Sequence, residues 1–142
     1  MPISIMRSTV VTAFFSLMLS FGAADAASPW PASVVGTWDM SANQSTLVLT
    51  ITKQVHVAGC SNISGTLVDT VTGRSDIQGF YCVGSGRIGF LRKDHNTGLT
   101  FQAFTGNLSV AGSPTHMAGQ FAQETGGPSA NAGEFDFFCT ER

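Results

Sequence analysis

The chain has 142 residues, of which 43% are apolar and 11% are charged, and its formal net charge is −2. A disordered chain is excluded because disorder requires low hydrophobicity and high charge, and the length suits one domain. With only 7 Lys and Arg residues, no basic surface is available to neutralise a run of phosphates, so we expect no nucleic-acid partner.

The first 26 residues have the pattern of a secretory signal peptide. Arg7 precedes an apolar run at 10–21, and Ala24-Asp25-Ala26 forms a small-x-small cleavage pattern. The apolar run of about twelve residues is shorter than the roughly 20 that a membrane-spanning helix needs, although an uncleaved anchor is the alternative. We predict a signal peptide at 1–26, one domain at 27–142, and a secreted or periplasmic protein without a membrane span.

Turn-forming residues interrupt the exported part of the chain roughly every eight to twelve residues, a spacing typical of an all-β sandwich or barrel. The links are short and glycine-containing, so consecutive strands should pair as antiparallel hairpins. Eight such strands close most naturally into an up-and-down β-barrel, which leaves no exposed edge. The predicted strands are 34–40, 46–53, 60–70, 75–83, 87–93, 99–108, 115–123 and 134–140.

Export would place the three cysteines in an oxidising compartment, where two of them are expected to form a disulfide. Position numbers of residues paired across an antiparallel hairpin have a constant sum. Cys60 and Cys82 meet this condition for the third and fourth strands to within one residue, so we predict a Cys60–Cys82 disulfide. Cys139 is then unpaired. A buried inert thiol and an intermolecular disulfide are its alternatives.

Several segments resemble the avidin and streptavidin family. Gly36-Thr37-Trp38 matches the Gly-x-Trp opening that avidins share with lipocalins and fatty-acid-binding proteins, and the chain ends in a strand as avidins do. The segment 64–67 resembles the family's third strand, 104–107 its sixth, 119–121 its seventh and 135–140 its last. The resemblance covers nearly the whole exported chain. It implies an exported barrel that binds biotin or a biotin-like compound.

The resemblance also implies roles for particular residues. Asp136 matches the position that accepts a hydrogen bond from the ureido ring of biotin. Phe104 and Phe121 stand where the family usually has tryptophan walls, and Thr100 and Gln102 stand where side chains of the sixth strand contact the ligand.

The loop after the first strand carries the remaining candidates. The family's Asn after the opening Trp is Met40 here, and Ser41, Asn43 and Ser45 would restore one or two of its donors if the first turn is one residue longer. Trp38 is expected to close the bottom of the barrel and to serve as the floor of a cavity. The family's other aromatic positions hold Leu67, Leu91 or Arg92, and Gly133. These losses imply a weakened affinity, because each unsatisfied buried polar group costs about 1–3 kcal/mol.

Strand alternation leaves two orientations open for Asp136. An inward Asp136 would contact a ligand and would turn Phe135 and Phe137 outward, which suggests a homo-oligomer interface. An outward Asp136 would be an ordinary solvated carboxylate above a core of phenylalanines.

The other charged residues and the histidines show no pattern of a catalytic or metal site. Arg87, Arg92 and Lys93 with Asp94 are predicted to form a solvated strand end. The histidines, His56, His95 and His116, lie singly without partners at metal-ligand spacing, so we expect no enzyme, no metal and no cofactor. The alternative to a small-ligand-binding barrel is a secreted protein-binding barrel with a packed interior, such as an inhibitor or a surface interaction module.

Overall fold

The structure, a computed structural model, describes residues 27–71, 73–123 and 133–142, so the predicted signal peptide lies outside the described residues. The described residues contain eight strands and no helix. The strands are β1 (Gly36–Ala42), β2 (Ser45–Val57), β3 (Cys60–Asp69), β4 (Gly73–Cys82), β5 (Arg87–Asp94), β6 (Thr100–Leu108), β7 (His116–Gln123) and β8 (Gly133–Glu141). Each predicted strand is present, and the largest difference is that β2 runs to Val57.

Every strand pairs antiparallel with its neighbour in sequence, and β1 also pairs with β8. The chain therefore forms a closed eight-stranded up-and-down barrel, as predicted. Closure satisfies the backbone groups of what would otherwise be two edge strands. In this topology the turns alternate between two ends of the barrel, which we call the open end and the closed end. The β1–β2, β3–β4 and β5–β6 turns lie at the open end, and the β2–β3, β4–β5 and β6–β7 turns lie at the closed end.

Residues 28–34, which we call the closing segment, cross the closed end of the barrel. Trp30 packs over Gly86 of the β4–β5 turn, where a side chain on residue 86 would collide with the indole ring. Backbone carbonyls of the segment accept hydrogen bonds from Tyr81 Oη (2.6 Å) and from Trp38 Nε1 (3.2 Å). Burial also raises the pKa of Tyr81. Trp38 and Tyr81, the two largest fully buried side chains, are thus packed with their polar atoms satisfied.

Inward side chains of all eight strands form the core, which is almost entirely aliphatic and aromatic. One close approach depends on glycine. Gly106 and Gly119 are paired across β6 and β7, and the ring of Phe137 from β8 lies against this pair, where a Cβ on residue 106 would come within 3.0 Å of the ring. The glycines thereby leave room for an inward phenylalanine.

Cys60 and Cys82 form the predicted disulfide, with Cα atoms 4.0 Å apart. They stand at facing ends of β3 and β4, so the bond ties that hairpin together at the closed end. Cys139 is free and buried beside Met40 and Met117, its partners on β1 and β7. Burial raises the pKa of its thiol to about 12, because the thiolate would lose its solvation. The buried thiol is therefore protonated and unreactive at neutral pH.

Candidate functional site

A cavity of about 690 Å³ lies at the open end of the barrel. Its walls come from the β1–β2 and β3–β4 turns, with the strand ends beside them, and from the neighbouring ends of β5, β6 and β7. The lining residues are 42–48, 68–71, Arg92, Phe101, Gln102, Phe104, Phe121 and Gln123. A volume of this size is within the range of pockets that hold small organic molecules.

The floor of the cavity is aromatic. The ring of Phe104 is stacked between those of Phe90 and Phe121, with centroid distances of 4.7 and 4.9 Å. Phe137 meets Phe104 edge-on at 5.5 Å. These rings are at most 4% exposed, so the barrel is closed to solvent beneath them. A ligand that reaches this depth would meet an apolar surface of aromatic side chains.

Above the floor lies a buried arginine. Arg92 points inward from β5 because it shares a strand face with Ile88 and Phe90, and it is only 3% exposed. Its Nε donates to Ser75 Oγ at 2.9 Å, one terminal nitrogen donates to Gln102 Oε1 at 3.0 Å, and the other donates to Asp69 Oδ2 at 2.6 Å. The guanidinium also lies 4.9 Å from the centroid of the Phe101 ring.

This arginine belongs to a hydrogen-bonded group of side chains from five consecutive strands, β3 to β7. Gln102 Nε2 donates to Gln123 Oε1 at 3.1 Å, which extends the network from β6 to β7. We call Asp69, Ser75, Arg92, Gln102 and Gln123 the polar belt. No fully buried side-chain nitrogen or oxygen in the described residues lacks a hydrogen-bond partner. The belt is therefore held in place by its own hydrogen bonds.

A tight turn forms one side of the cavity mouth. Asn43 and Gln44 connect β1 to β2, and both have positive φ angles, of 42° and 67°. Two successive residues with positive φ are the pattern of a type I′ turn, which matches the twist of a β-hairpin. Asn43 and Ser45 are exposed and line the mouth.

The cavity brings together five of the eight residues that the sequence indicated as ligand contacts. They are Asn43, Ser45, Gln102, Phe104 and Phe121. The remaining three, Thr100, Trp38 and Asp136, do not line it.

Asp136 lies on the outer face of the barrel, where it is exposed opposite Gln120 of β7. Phe137 and Cys139 are the buried residues of β8, so the inward orientation of Asp136 that the resemblance implied is wrong. Its contact with the cavity wall is through the backbone, since the carbonyl of Asp136 accepts a hydrogen bond from Asn43 N at 3.3 Å.

The positions of Thr100 and Trp38 have separate causes. The register of β5 and β6 shifts between Arg92 and Lys93, so that Phe101 and Gln102 are both buried while Thr100 stays at the strand end. Trp38 does close the bottom of the barrel, but the cavity ends above it at the phenylalanine floor. Neither residue can therefore touch a molecule in the cavity.

The sequence interpretation missed Arg92 and Asp69. The predicted solvated strand end is correct for the exposed Arg87 and wrong for Arg92. Strand alternation could have placed both residues inside the barrel. Arg92 is two positions from Phe90 and Asp69 is two positions from Leu67, so each shares a strand face with a buried apolar residue.

No model of a known protein family matches the chain, and no curated protein matches it either. Within the described residues no group of three or more His, Cys, Asp or Glu could hold a metal ion. No helix in the same residues is long and apolar enough to cross a membrane.

Proposed function

We propose that the protein binds a small organic molecule in the open-end cavity. The observation that carries the proposal is the combination of an aromatic floor with a satisfied polar belt around a space of about 690 Å³. Ligand sites are typically concave and largely apolar, with a few convergent polar groups that fix the orientation of the ligand.

The cavity favours a ligand with an apolar part and at least one hydrogen-bonding group. The apolar part would pack against Phe104 and Phe121, and the polar group would meet Gln102 and Gln123 at the belt. Asn43 and Ser45 would contact whatever part of the ligand lies near the mouth. Gln102, Gln123, Phe104 and Phe121 are held by hydrogen bonds or ring packing before binding, so a ligand would lose little affinity to their ordering.

Biotin is the first compound to test. The resemblance to avidins suggested it, and the positions of Asn43, Ser45, Gln102, Phe104 and Phe121 around the cavity support it. The outward Asp136 removes one expected ureido contact, which is a reason to expect weak rather than tight binding.

Isothermal titration of biotin into the oxidised, exported protein tests the proposal. We expect saturable heat that is weakened or lost in Gln102→Met, which removes a belt amide at the cavity wall. Gln120→Met is the matched control, because it makes the same chemical change on the outer face of β7. Asp136→Ala should also bind as the unaltered protein does.

The possible outcomes test the identity of the ligand and the location of its binding site separately. Binding that is lost in Asp136→Ala and kept in Gln102→Met would place the ligand outside the cavity and contradict the proposal. Silence with biotin in all four proteins would reject biotin. The cavity would then be tested with the neutral fluorophore N-phenyl-1-naphthylamine, and failure of that probe as well would reject small-molecule binding.

A protein-binding barrel is the second candidate, and exposed apolar residues around the mouth favour it. Val71 is 90% exposed and Leu99 is 70% exposed, both in turns of the open end. Exposed apolar side chains that cluster at one end of a protein are common in docking surfaces. Rejection of all small molecules, together with a partner whose binding is lost in Val71→Ser, would support this second candidate.

Export and self-association complete the proposal. The signal-peptide pattern at 1–26 and the Cys60–Cys82 disulfide together support a secreted or periplasmic location. Phe138 is 48% exposed on the outer face of β8, stacked on His116, and offers an apolar surface to a second copy. Light scattering at micromolar concentration tests this, and a strictly monomeric mass would contradict it.

A further inference from the structure

The charges that line the cavity cancel. Among the described lining residues only Asp69 and Arg92 carry a charge at neutral pH, and the two are paired at 2.6 Å. Their side chains are 10% and 4% exposed, so little water screens the pair. A molecule in the cavity therefore meets a dipole rather than a net positive charge.

The pair is also held by several hydrogen bonds. Each nitrogen of the Arg92 guanidinium donates to a protein oxygen, on Ser75, Gln102 or Asp69. Asp69 uses both of its carboxylate oxygens, since Oδ2 accepts from Arg92 and Oδ1 accepts from the backbone N–H of Val71 at 2.7 Å. An anion that approached Arg92 would lie beside the Asp69 carboxylate, which would repel it.

We propose that the part of the ligand buried in the open-end cavity is uncharged, and that Asp69 is the residue that excludes anions. This inference rests on the proposed small-molecule function and defines its ligand class. Burial of a charge is costly without an opposite charge to compensate it, and Asp69 has already compensated Arg92. Removing the charge of Asp69 should convert the same cavity into a site for anions.

Two dyes that differ by one charge test the inference. N-phenyl-1-naphthylamine is neutral, and 8-anilinonaphthalene-1-sulfonate has the same rings with an added sulfonate. Fluorescence titration gives the affinity of each dye for the exported, oxidised protein. We expect the neutral dye to bind more tightly to the unaltered protein.

The decisive quantity is the ratio of sulfonate to neutral-dye affinity across variants. In Asp69→Asn, which keeps the side-chain shape and leaves Arg92 unpaired in charge, the ratio should rise at least about tenfold. In the double variant Asp69→Asn/Arg92→Gln, which has no charge at the belt, it should return to the original value. Asp76→Asn removes the same charge from the outer side of β4 and should leave the ratio unchanged.

Each outcome decides the inference. A sulfonate dye that binds the unaltered protein as tightly as the neutral dye would overturn it, as would an unchanged ratio in a folded Asp69→Asn. If Asp69→Asn does not fold, as judged by circular dichroism, the dye preference of the unaltered protein and the double variant decides. Failure of both dyes to bind any of these proteins would instead overturn the proposed function on which the inference depends.

Discussion

The two ends of the barrel differ in how their inward side chains are packed and hydrogen-bonded. At the closed end, inward positions hold large aromatic residues, and the polar tips of Trp38 and Tyr81 donate to backbone carbonyls of the closing segment. At the open end, inward positions hold Arg92, Gln102 and their partners, which bond mainly to one another. One end is filled by apolar packing, and the other encloses space within a ring of polar side chains.

This difference separates stability from binding within one fold. Residues at the closed end contribute buried apolar area, which is the main favourable contribution to folding. Residues of the polar belt make hydrogen bonds and an ion pair whose net contribution to folding is small, because burial costs them their hydration. We therefore expect substitutions at the closed end to affect mainly stability, and substitutions at the open end that leave no buried charge unpaired to affect mainly ligand choice.

The largest expected effect is at the closed end. Trp38→Ala should lower the free energy of unfolding by about 3–5 kcal/mol, because it removes a fully buried indole and leaves a void. Urea unfolding of both proteins measures the loss. Phe138→Ala, which truncates an aromatic residue that is 48% exposed, is the control and should cost much less. Equal losses for the two variants would show that the closed end is not tightly packed.

The next effect should come from the ion pair at the open end. Arg92→Met or Asp69→Leu alone should each cost about 3 kcal/mol, because each leaves one buried charge without its partner. The double variant should cost less than either single one, since it removes both charges together. A double-mutant cycle from urea unfolding measures this coupling. Additive losses would mean that the pair does not act as a unit.

A smaller effect should appear at high pH through Cys139, which lies between the two ends. Its thiol has a pKa of about 12 in the folded chain against an ordinary 9.0, so the folded state keeps a proton that the unfolded state loses. Its contribution is therefore fully present below about pH 9 and is lost as the pH rises towards 12. The free energy of unfolding should fall by up to about 1.4 kcal/mol per pH unit above pH 9 from this group.

Cys139→Ala isolates that contribution. Between pH 8 and pH 10 the unaltered protein should lose about 1.4 kcal/mol more stability than the variant does. The raised pKa of Tyr81 acts in the same direction in both proteins and cancels in the comparison. The same fall in both proteins would mean that the thiol is accessible to solvent.

Strand positions and pairing were predictable because turns and hairpin registers are local properties of this chain. The Cys60–Cys82 disulfide followed from a single hairpin, without knowledge of the rest of the barrel. Phe104, Phe121 and Gln102 were found through the family resemblance, and the structure places all three around the cavity.

The positions of Asp136, Thr100 and Arg92 could not be predicted from single strands, because they depend on contacts between strands. Phenylalanines occupy both faces of β8, so alternation could not choose a side for Asp136, and the inward ring of Phe137 lies in space left by Gly106 on another strand. Thr100 is displaced by a register shift between β5 and β6, which is a property of the pair. Arg92 was assigned to solvent because its buried partner Asp69 is distant in sequence and comes from a non-adjacent strand.

The sequence has two tryptophans and one tyrosine, and all three lie at the closed end. The open-end cavity is walled by phenylalanine, which neither absorbs nor emits usefully at the wavelengths used for protein fluorescence. Intrinsic emission will thus report unfolding of the barrel and will be nearly blind to an occupant of the cavity. A ligand search that relied on tryptophan quenching would return negatives for true binders, whereas heat or an added fluorophore would detect them.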